Sequence, residues 1–346
     1  MKAVVLEKRG RDGIRVGDFP DPKRGPGEAG QVQAIMRVRA AALNHVDLYM
    51  RDNGKGITHE LPMILGLDAA GEVVEADPAS GLKSGQRVIA YPSEFCGECE
   101  YCLAGEQPWC RKVKILGEQR HGTYAQYLMM PAHCFVPIPD SLSDRDAAAL
   151  STAYLTAWRQ VFGKTPIVPG ETVVVVGVGG GVALATMQLA KIAGARVIVT
   201  SSSDEKLAKA KQLGADEGIN YKREPVSKRV MELTGGRGAN IVYDNVGDAT
   251  WGETLRSVGW GGRVVVVGAT TGGFPPADLQ RIFVRQITVY GSTTGSMQEY
   301  RDLIRLAGQG RLKPVIDSVY KLDDYPKALD RLEKAEQFGK IVIDVP

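Results

Sequence analysis

No uninterrupted apolar run reaches the roughly 18 residues that a membrane-spanning helix needs. The opening residues, Met1-Lys-Ala-Val-Val-Leu-Glu-Lys, carry too few apolar side chains for the core of a secretory signal. Both absences predict a cytoplasmic protein with no membrane partner. An excess of either charge is missing too: 43 Lys and Arg stand against 40 Asp and Glu, a net charge of +3. No basic run is dense enough to track a phosphate backbone, so nothing in the balance calls for nucleic acid. Internal repeats and low-complexity segments are absent. Cysteine is scarce, with five in the chain. Four of them are clustered, which fits metal binding in a reducing compartment better than a disulfide framework.

What the chain does have is a stretch from Glu171 to Thr200 around which the rest is organised. Val173 to Val176 are β-branched and lead into Gly177-Val-Gly179-Gly180-Gly181-Val182. Small and apolar residues at helical spacing follow as far as Gly194, then a second β-branched run. The order is strand, tight turn, helix, strand. Glycines at that turn let a pyrophosphate approach backbone N–H groups at a helix N-terminus, where a Cβ would hold it off. The strict G-x-G-x-x-G pattern fails at Val182. Gly177-x-x-Gly180-x-x-Ala183 fits better, and its position between strand and helix makes nucleotide binding the expectation.

At 346 residues the chain accommodates two domains. As far as about residue 150 it reads as strand-rich. Strand candidates at Val32 to Ala42, Gly71 to Ala76 and Gln86 to Ala90 are punctuated by Pro or Gly clusters at Pro20 to Gly30, Asp77 to Gly85 and Pro137 to Pro139. Helical character starts at Asp144 and resumes from Thr156 towards Gly163. Beyond the glycine turn, a helix over Asp204 to Leu213 precedes strands at Gly218 to Tyr221, Ile241 to Asp244, Arg263 to Gly268 and Ile287 to Gly291. The tail offers a helix over Met297 to Gly308 and a strand from Lys340 to Val345. Cys96, Cys99, Cys102 and Cys110 carry the second strong signal. Three thiolates at three-residue intervals on a loop, plus a fourth, make a tetrahedral S4 site that suits zinc. Such a site leaves no position for substrate, so one structural zinc per chain is expected. Cys134 stands alone and reads as a core residue.

Several motifs together resemble the medium-chain dehydrogenase/reductase superfamily of zinc alcohol dehydrogenases and zinc-free quinone oxidoreductases. They are Asn44-His-Val-Asp47-Leu-Tyr49-Met-Arg51, Gly66-Leu-Asp68-Ala-Ala-Gly71, the four-cysteine lobe, Gly122-Thr-Tyr-Ala-Gln-Tyr127, Thr156-Ala-Trp158 and the glycine turn. The resemblance implies an α/β protein: a GroES-like β-rich catalytic domain over residues 1–153, with a zinc lobe at 94–112, a Rossmann doubly wound parallel sheet over 154–292, and a return to the catalytic domain over 293–346. A cleft between them would hold the nicotinamide. The family also implies a homodimer through continued Rossmann edge strands, or a homotetramer of such dimers. In the alcohol dehydrogenase branch, a catalytic zinc takes a cysteine, a histidine and another cysteine at positions that here hold Asn44, Leu67 and Thr152. Those ligands are gone, and without zinc an alkoxide has no Lewis acid. The Asn44, Asp47, Tyr49 and Arg51 pattern resembles instead quinone oxidoreductases and related enone reductases.

The expected reaction is therefore NADPH-dependent hydride transfer to a quinone or α,β-unsaturated carbonyl, which requires a donor for the developing oxygen anion and a dry pocket. Asn44 and Tyr49 are the candidate donors. Asp47 would orient the segment or form a buried ion pair with Arg51, which would otherwise meet another carboxylate. His121 is the better placed of two histidines near the motifs; it and His45 can equally be hydrogen-bonded loop residues, and His59 and His133 read as surface or core. An acidic residue at the end of the second Rossmann strand selects NAD. Here that position is Ser201, and by resemblance Ser201, Lys206 and Tyr221 would contact the 2′-phosphate of NADPH. Thr156, the turn residues Gly177 to Val182, Asn245 and Gly268 complete the candidate cofactor site. Two alternatives stay open: an alcohol or aldehyde dehydrogenase with an atypical metal site near His45, Asp68 or His121, and a nucleotide-binding protein with a structural or regulatory role.

Overall fold

The alternating stretch that closes at Ala42 is a strand, Gln33–Ala42, and the first unit of the molecule is laid against it. The computed structural model describes residues 1–24, 32–52 and 59–346, so the Pro20 to Gly30 cluster lies partly outside the described residues. The chain divides into two compact units, Met1–Ala153 with Ser296–Pro346, and Tyr154–Gly295.

In the first unit, Gln33–Ala42 runs antiparallel to Asp68–Ala76 on one side and to Lys340–Asp344 on the other. The sheet continues through Arg87–Ala90 and Phe135–Pro137 at one end and Ile316–Lys321 at the other, while Tyr127–Pro131 also pairs with Gln33–Ala42. Small residues allow this close layering: Ala34, Ala40, Ala41, Ala42, Ala69 and Ala70 are all buried. Register decides what happens chemically, because Ala42 stands opposite both Asp68 and Val342. The residues that flank those partners, from three distant parts of the chain, must therefore meet just beyond the end of the central strand. One of them is Asn44, where the chain leaves the sheet and enters the helix His45–Asp52.

The second unit carries six parallel strands. In spatial order they are Glu217–Asn220, Arg196–Ser201, Thr172–Val175, Ala239–Asp244, Val258–Val266 and Thr288–Gly291, the third, second, first, fourth, fifth and sixth along the unit. This is the doubly wound order, with its switch point beside the first strand. Because helices cover both faces of a parallel sheet, the strands are apolar throughout: Val174, Ile198, Val242 and Val264 are fully buried. The helix Gly181–Ile192 buries Leu184, Met187 and Leu189 against the sheet and ends where Gly194 takes a positive φ of 85°.

Two differences from the sequence expectation have physical causes. The helical pieces from Asp144 and from Thr156 form one run, Asp144–Trp158, broken internally at Ser151 (φ −55°, ψ −106°). Helices at His45–Asp52, Val226–Leu233, Trp251–Ser257, Leu279–Val284 and Tyr325–Glu333 were not anticipated; at six to nine residues each holds few repeats of a 3.6-residue period. No helix among the described residues is long and apolar enough to cross a membrane.

Candidate active site

The residues that meet beyond Ala42 form a buried polar knot. Asp68 is fully buried, and its carboxylate accepts from four donors. The Asn44 amide donates from Nδ2 at 2.9 Å and the Lys340 ammonium at 3.0 Å. Thr152 supplies its backbone N–H at 3.0 Å and its hydroxyl. The break at Ser151 explains the Thr152 backbone donor, since a residue just past a broken turn is released from the helical ladder. Lys340 also donates to Leu43 O at 2.6 Å and to Asn44 Oδ1 at 2.8 Å. With three acceptors for three protons, the ammonium is satisfied.

Asn44, Leu67 and Thr152, the positions implied for a catalytic metal's ligands, thus lie together. They present an amide, an apolar side chain and a hydroxyl. The Asn44 side chain is not the open pocket donor expected of it. Its N–H groups go to Asp68 and to Ala42 O at 3.3 Å, and its oxygen accepts from Lys340.

Beside the knot, Asp47 accepts from Asn44 N at 2.9 Å and from the Tyr124 hydroxyl at 2.6 Å. Burial pushes the Asp47 carboxyl up to about 7, against the pull of those two donors and of Lys340. Of the two alternatives left open for Arg51, the ion pair with Asp47 does not form and the contact with another carboxylate does. Arg51 lies buried against Glu333, at 2.9 Å, and Asp52, because the helix Tyr325–Glu333 brings a carboxylate to that face of His45–Asp52.

Tyr49 is half-buried, and burial raises its hydroxyl pKa, so the group stays protonated. His45 stands edge-on to it, with ring centres 6.3 Å apart. The surrounding protein, and then the Lys340 charge, lower the His45 pKa. His121 turns out to be structural. Its Nδ1 accepts from Ile64 N at 3.2 Å, its edge packs on Phe19, and burial lowers its pKa. Next to it, a Cβ on Gly122 would stand 2.2 Å from Gly66 O, so only glycine permits the approach of these two loops. His45, Asp68 and His121 do not form a cluster of three or more metal-ligand atoms among the described residues. His59 meets Glu118 at 3.2 Å, and His133 meets Phe95 O at 2.9 Å.

The four cysteines do converge. Their sulfurs lie within 4.8 Å of one another and form the one such cluster of three or more His, Cys, Asp or Glu ligands among the described residues. Cys96 to Cys110 is 3.5 Å and Cys96 to Cys102 is 3.9 Å. A tetrahedron with Zn–S bonds of about 2.3 Å has edges of about 3.8 Å. Backbone N–H groups of Cys102 and Arg111 hold the Cys99 thiol down to about 6, whereas burial pushes Cys102 and Cys110 up. The backbone N–H of Cys99 donates to the Cys96 sulfur and those of Cys96 and Lys112 to the Cys110 sulfur, the kind of outer layer that orients thiolates around a cation. Cys134 is fully buried, its pKa raised to about 12 by burial.

In the second unit, Gly177 and Gly179 take φ of 75° and 130°, conformations that favour glycine. They deliver the chain to Gly180, which starts the helix Gly181–Ile192 without a side-chain cap. The first N–H groups of that helix are left for an anion. Lys206 is drawn to this turn, its Nζ lying 3.4 Å from where a Cβ on Gly179 would be. The helix carrying Lys206 is capped by Ser203, whose hydroxyl accepts from Lys206 N. Ser201 is buried and its hydroxyl accepts from Ser203 N at 3.2 Å, so it shapes the turn more than it faces solvent. Tyr221 is half exposed and lines a cavity of about 320 Å³ with Gly177, Thr200, Val246, Thr250 and Thr271. Asn245 and Gly268 adjoin, since a Cβ on Gly268 would lie 2.8 Å from Asn245 O. Val182 is part-buried on the first turn of its helix, and Thr156 is buried in Asp144–Trp158. Asp244 was missed as an organiser: it accepts from Val246 N, Gly247 N, Thr250 and Thr254.

Comparison with known proteins agrees with this architecture. Residues 30–140 match the alcohol dehydrogenase GroES-like domain family and residues 181–309 the zinc-binding dehydrogenase family. An alcohol dehydrogenase of Geobacillus stearothermophilus is 31% identical over 100% of both chains. The chain belongs to the medium-chain dehydrogenase/reductase superfamily. A crystal structure of an NAD-dependent alcohol dehydrogenase superposes with a TM-score of 0.94 at 39% identity, covering 100% of each chain. An acryloyl-coenzyme A reductase of Metallosphaera sedula is 28% identical over 99% of both chains.

As a medium-chain dehydrogenase/reductase the protein is an oxidoreductase with an NAD(P)-binding fold. Lys340 is the residue of its site that sequence reasoning missed. The available signal was Asp68: an acid set in Gly-Leu-Asp-Ala-Ala-Gly, with no cation nearby in sequence, needs a distant one if it is buried.

Proposed function

We propose that the protein reduces quinones or α,β-unsaturated carbonyl compounds with NADPH, without a catalytic zinc, and that its four cysteines hold one structural zinc. The observation that carries this reading is the knot at Asn44, Leu67, Asp68 and Thr152. Where a catalytic zinc would need a thiolate, an imidazole and a second thiolate, the chain offers an amide and a hydroxyl already hydrogen-bonded to a carboxylate, and a leucine that can ligate nothing. The acryloyl-coenzyme A reductase among the relatives supports it, because that name describes reduction of a conjugated C=C bond.

The reduced nicotinamide supplies a hydride. This chain's own residues hold the cofactor at the Gly177–Val182 turn with Lys206, and present a proton donor where charge develops. Tyr49, a phenol protonated at neutral pH, fits that role, and conjugation in the acceptor spreads the charge it must meet. The uncharged Ser201, with Lys206 over the turn, supports NADPH over NADH, since no carboxylate repels a 2′-phosphate there. Tyr221 donates its backbone N–H to Ser201 O at 3.1 Å. The cysteine cluster fits zinc in distance and donor set, and bound zinc would tie the lobe together.

We also propose self-association, as a homodimer or homotetramer in the cytoplasm. Thr288–Gly291 is the edge of the parallel sheet, and Leu279, Phe283 and Val289 around it are exposed.

A second reading, alcohol or aldehyde oxidation, is favoured by the relatives that carry alcohol dehydrogenase names. The experiment that separates the two follows NADPH and NADH oxidation with a naphthoquinone, an enone and an aldehyde, and the reverse reaction with ethanol, with and without added zinc. Zinc-independent reduction of the quinone or enone, with slow ethanol oxidation, supports the proposal. Zinc-dependent ethanol oxidation at comparable kcat/KM overturns it.

A further inference from the structure

Lys340 lies 272 positions from Asp68 in sequence and at hydrogen-bond distance in space. Its side chain is 4% exposed, and Asp68 is fully buried. Such a pair costs desolvation on both sides, and replacing it with well-packed apolar residues is often neutral or stabilising. Stability alone is thus a weak reason for a chain to carry it. What the pair does geometrically is fix Asn44 from both ends of its amide, with Lys340 on Oδ1 and Asp68 on Nδ2. Asn44 is the hinge between the strand Gln33–Ala42 and the helix His45–Asp52, and its backbone N–H is tied to Asp47 inside that helix. Locking the amide therefore sets where the helix starts and how its first turns face. His45 and Tyr49, one turn apart, are carried on those turns, ring against ring.

We infer that the Lys340–Asp68 ion pair is the positioning device of the active site, aiming His45 and Tyr49 by clamping the Asn44 amide. Its three N–H donors being taken, Lys340 touches no substrate and is not a catalytic residue. The inference rests on the reading above only in placing Tyr49 at the reacting centre.

The test compares the wild type with Lys340→Arg, Lys340→Met and Lys340→Met/Asp68→Asn. The last variant removes both charges and keeps an acceptor oxygen for the Asn44 and Thr152 donors, so it stays folded where Lys340→Met alone leaves a buried carboxylate stranded. Melting temperature, NADPH affinity, kcat and KM with an enone, and the NMR titration of His45 are read for each. Expected for the double variant are a melting temperature and NADPH affinity near wild type, a kcat at least tenfold lower with little change in KM, displaced His45 resonances and a His45 midpoint at higher pH. Lys340→Arg should recover part of the kcat. A double variant as stable as wild type whose kcat lies within twofold of it and whose His45 resonances and midpoint do not move overturns the inference. If the wild type reduces no enone or quinone, the substrate reading fails by itself. The His45–Tyr49 ring contact, read as nuclear Overhauser effects between the two rings, then decides the positioning role, since it needs no substrate and does not follow the loss of the Lys340 charge: an unchanged contact sinks it and a lost one upholds it.

Discussion

Asp47→Asn is the most informative single change for the energetics of the site. In the folded protein the Asp47 carboxyl, ordinarily at 3.8, is pushed up to about 7, mainly by burial. The folded value lies above the unfolded one, so between them the native state holds more proton than the unfolded chain, and stability falls as pH rises. The Asp47 contribution is fully present below about pH 4, declines from there to about pH 7 and is lost above it. At about 1.36 kcal/mol per pH unit the whole difference is on the order of 4 kcal/mol, an upper figure for a fully buried group. Asparagine keeps an oxygen to accept from Tyr124 and from Asn44 N but cannot ionise. Denaturant unfolding of both proteins from pH 5 to 8 should therefore give curves that diverge. The variant should be close to wild type at pH 5 and more stable by about 2 to 3 kcal/mol at pH 8, the part of the whole difference that falls between those two pH values, because the wild type then carries a buried carboxylate. Taking the difference cancels groups common to both, His45, Glu118 and His121 among them. Parallel curves across that range would refute the argument that desolvation governs Asp47.

Three further outcomes bear on cofactor, metal and chemistry. Lys206→Ala should weaken NADPH binding by about 1.5 to 3 kcal/mol and leave NADH nearly unchanged, the range for a hydrogen bond to a charged group; equal losses in titrations of both would show that Lys206 only shapes the turn. Elemental analysis should find one zinc per chain, and Cys99→Ser should lower the melting temperature far more than it changes turnover at low temperature, because the S4 set is closed to substrate. Two stoichiometric zincs would count against the argument from Leu67 and Thr152. Tyr49→Phe should reduce kcat by about 10² to 10³ with folding and NADPH affinity preserved, whereas an unchanged kcat would make Tyr49 a packing residue.

The parts of the molecule that could be read in the sequence are those whose determinants are local. The glycine turn was legible because Val173 to Val176, Gly177 to Gly181 and the helix to Ile192 are consecutive, and each has its own period or φ requirement. The cysteine cluster was legible for the same reason, with four cysteines inside fifteen residues. Lys340 was not. It opens the strand Lys340–Asp344, which reads correctly as a strand, but nothing in Gly-Lys-Ile-Val-Ile-Asp says which carboxylate the lysine will meet. That is fixed by the register placing Ala42 opposite both Asp68 and Val342. The Asn44 error has the same origin, since an amide looks like a free donor until the groups on either side of it are known. Arg51 meets Glu333, a carboxylate 282 positions away that nothing in the Asn44-to-Arg51 segment specifies.

That contrast between local and assembled sites also explains how a chain can carry a cysteine lobe resembling that of one branch of its superfamily with the proposed active site of another. The lobe depends only on its own spacing, so changes elsewhere leave it intact. A catalytic zinc site needs residues 44, 67 and 152 to agree, and an acid such as Asp68 next to it must be compensated whether or not a metal is present. Here Lys340 meets that need with one positive charge against one negative, hydrogen-bonded to saturation. A divalent ion with an open position would leave positive charge to be shared with a substrate oxygen; a neutral, closed pair leaves none. An isolated alkoxide would then face only uncharged donors such as Tyr49. A conjugated acceptor delocalises its charge before any donor is needed, which is the physical reason for assigning quinones and enones, rather than simple alcohols, to this site.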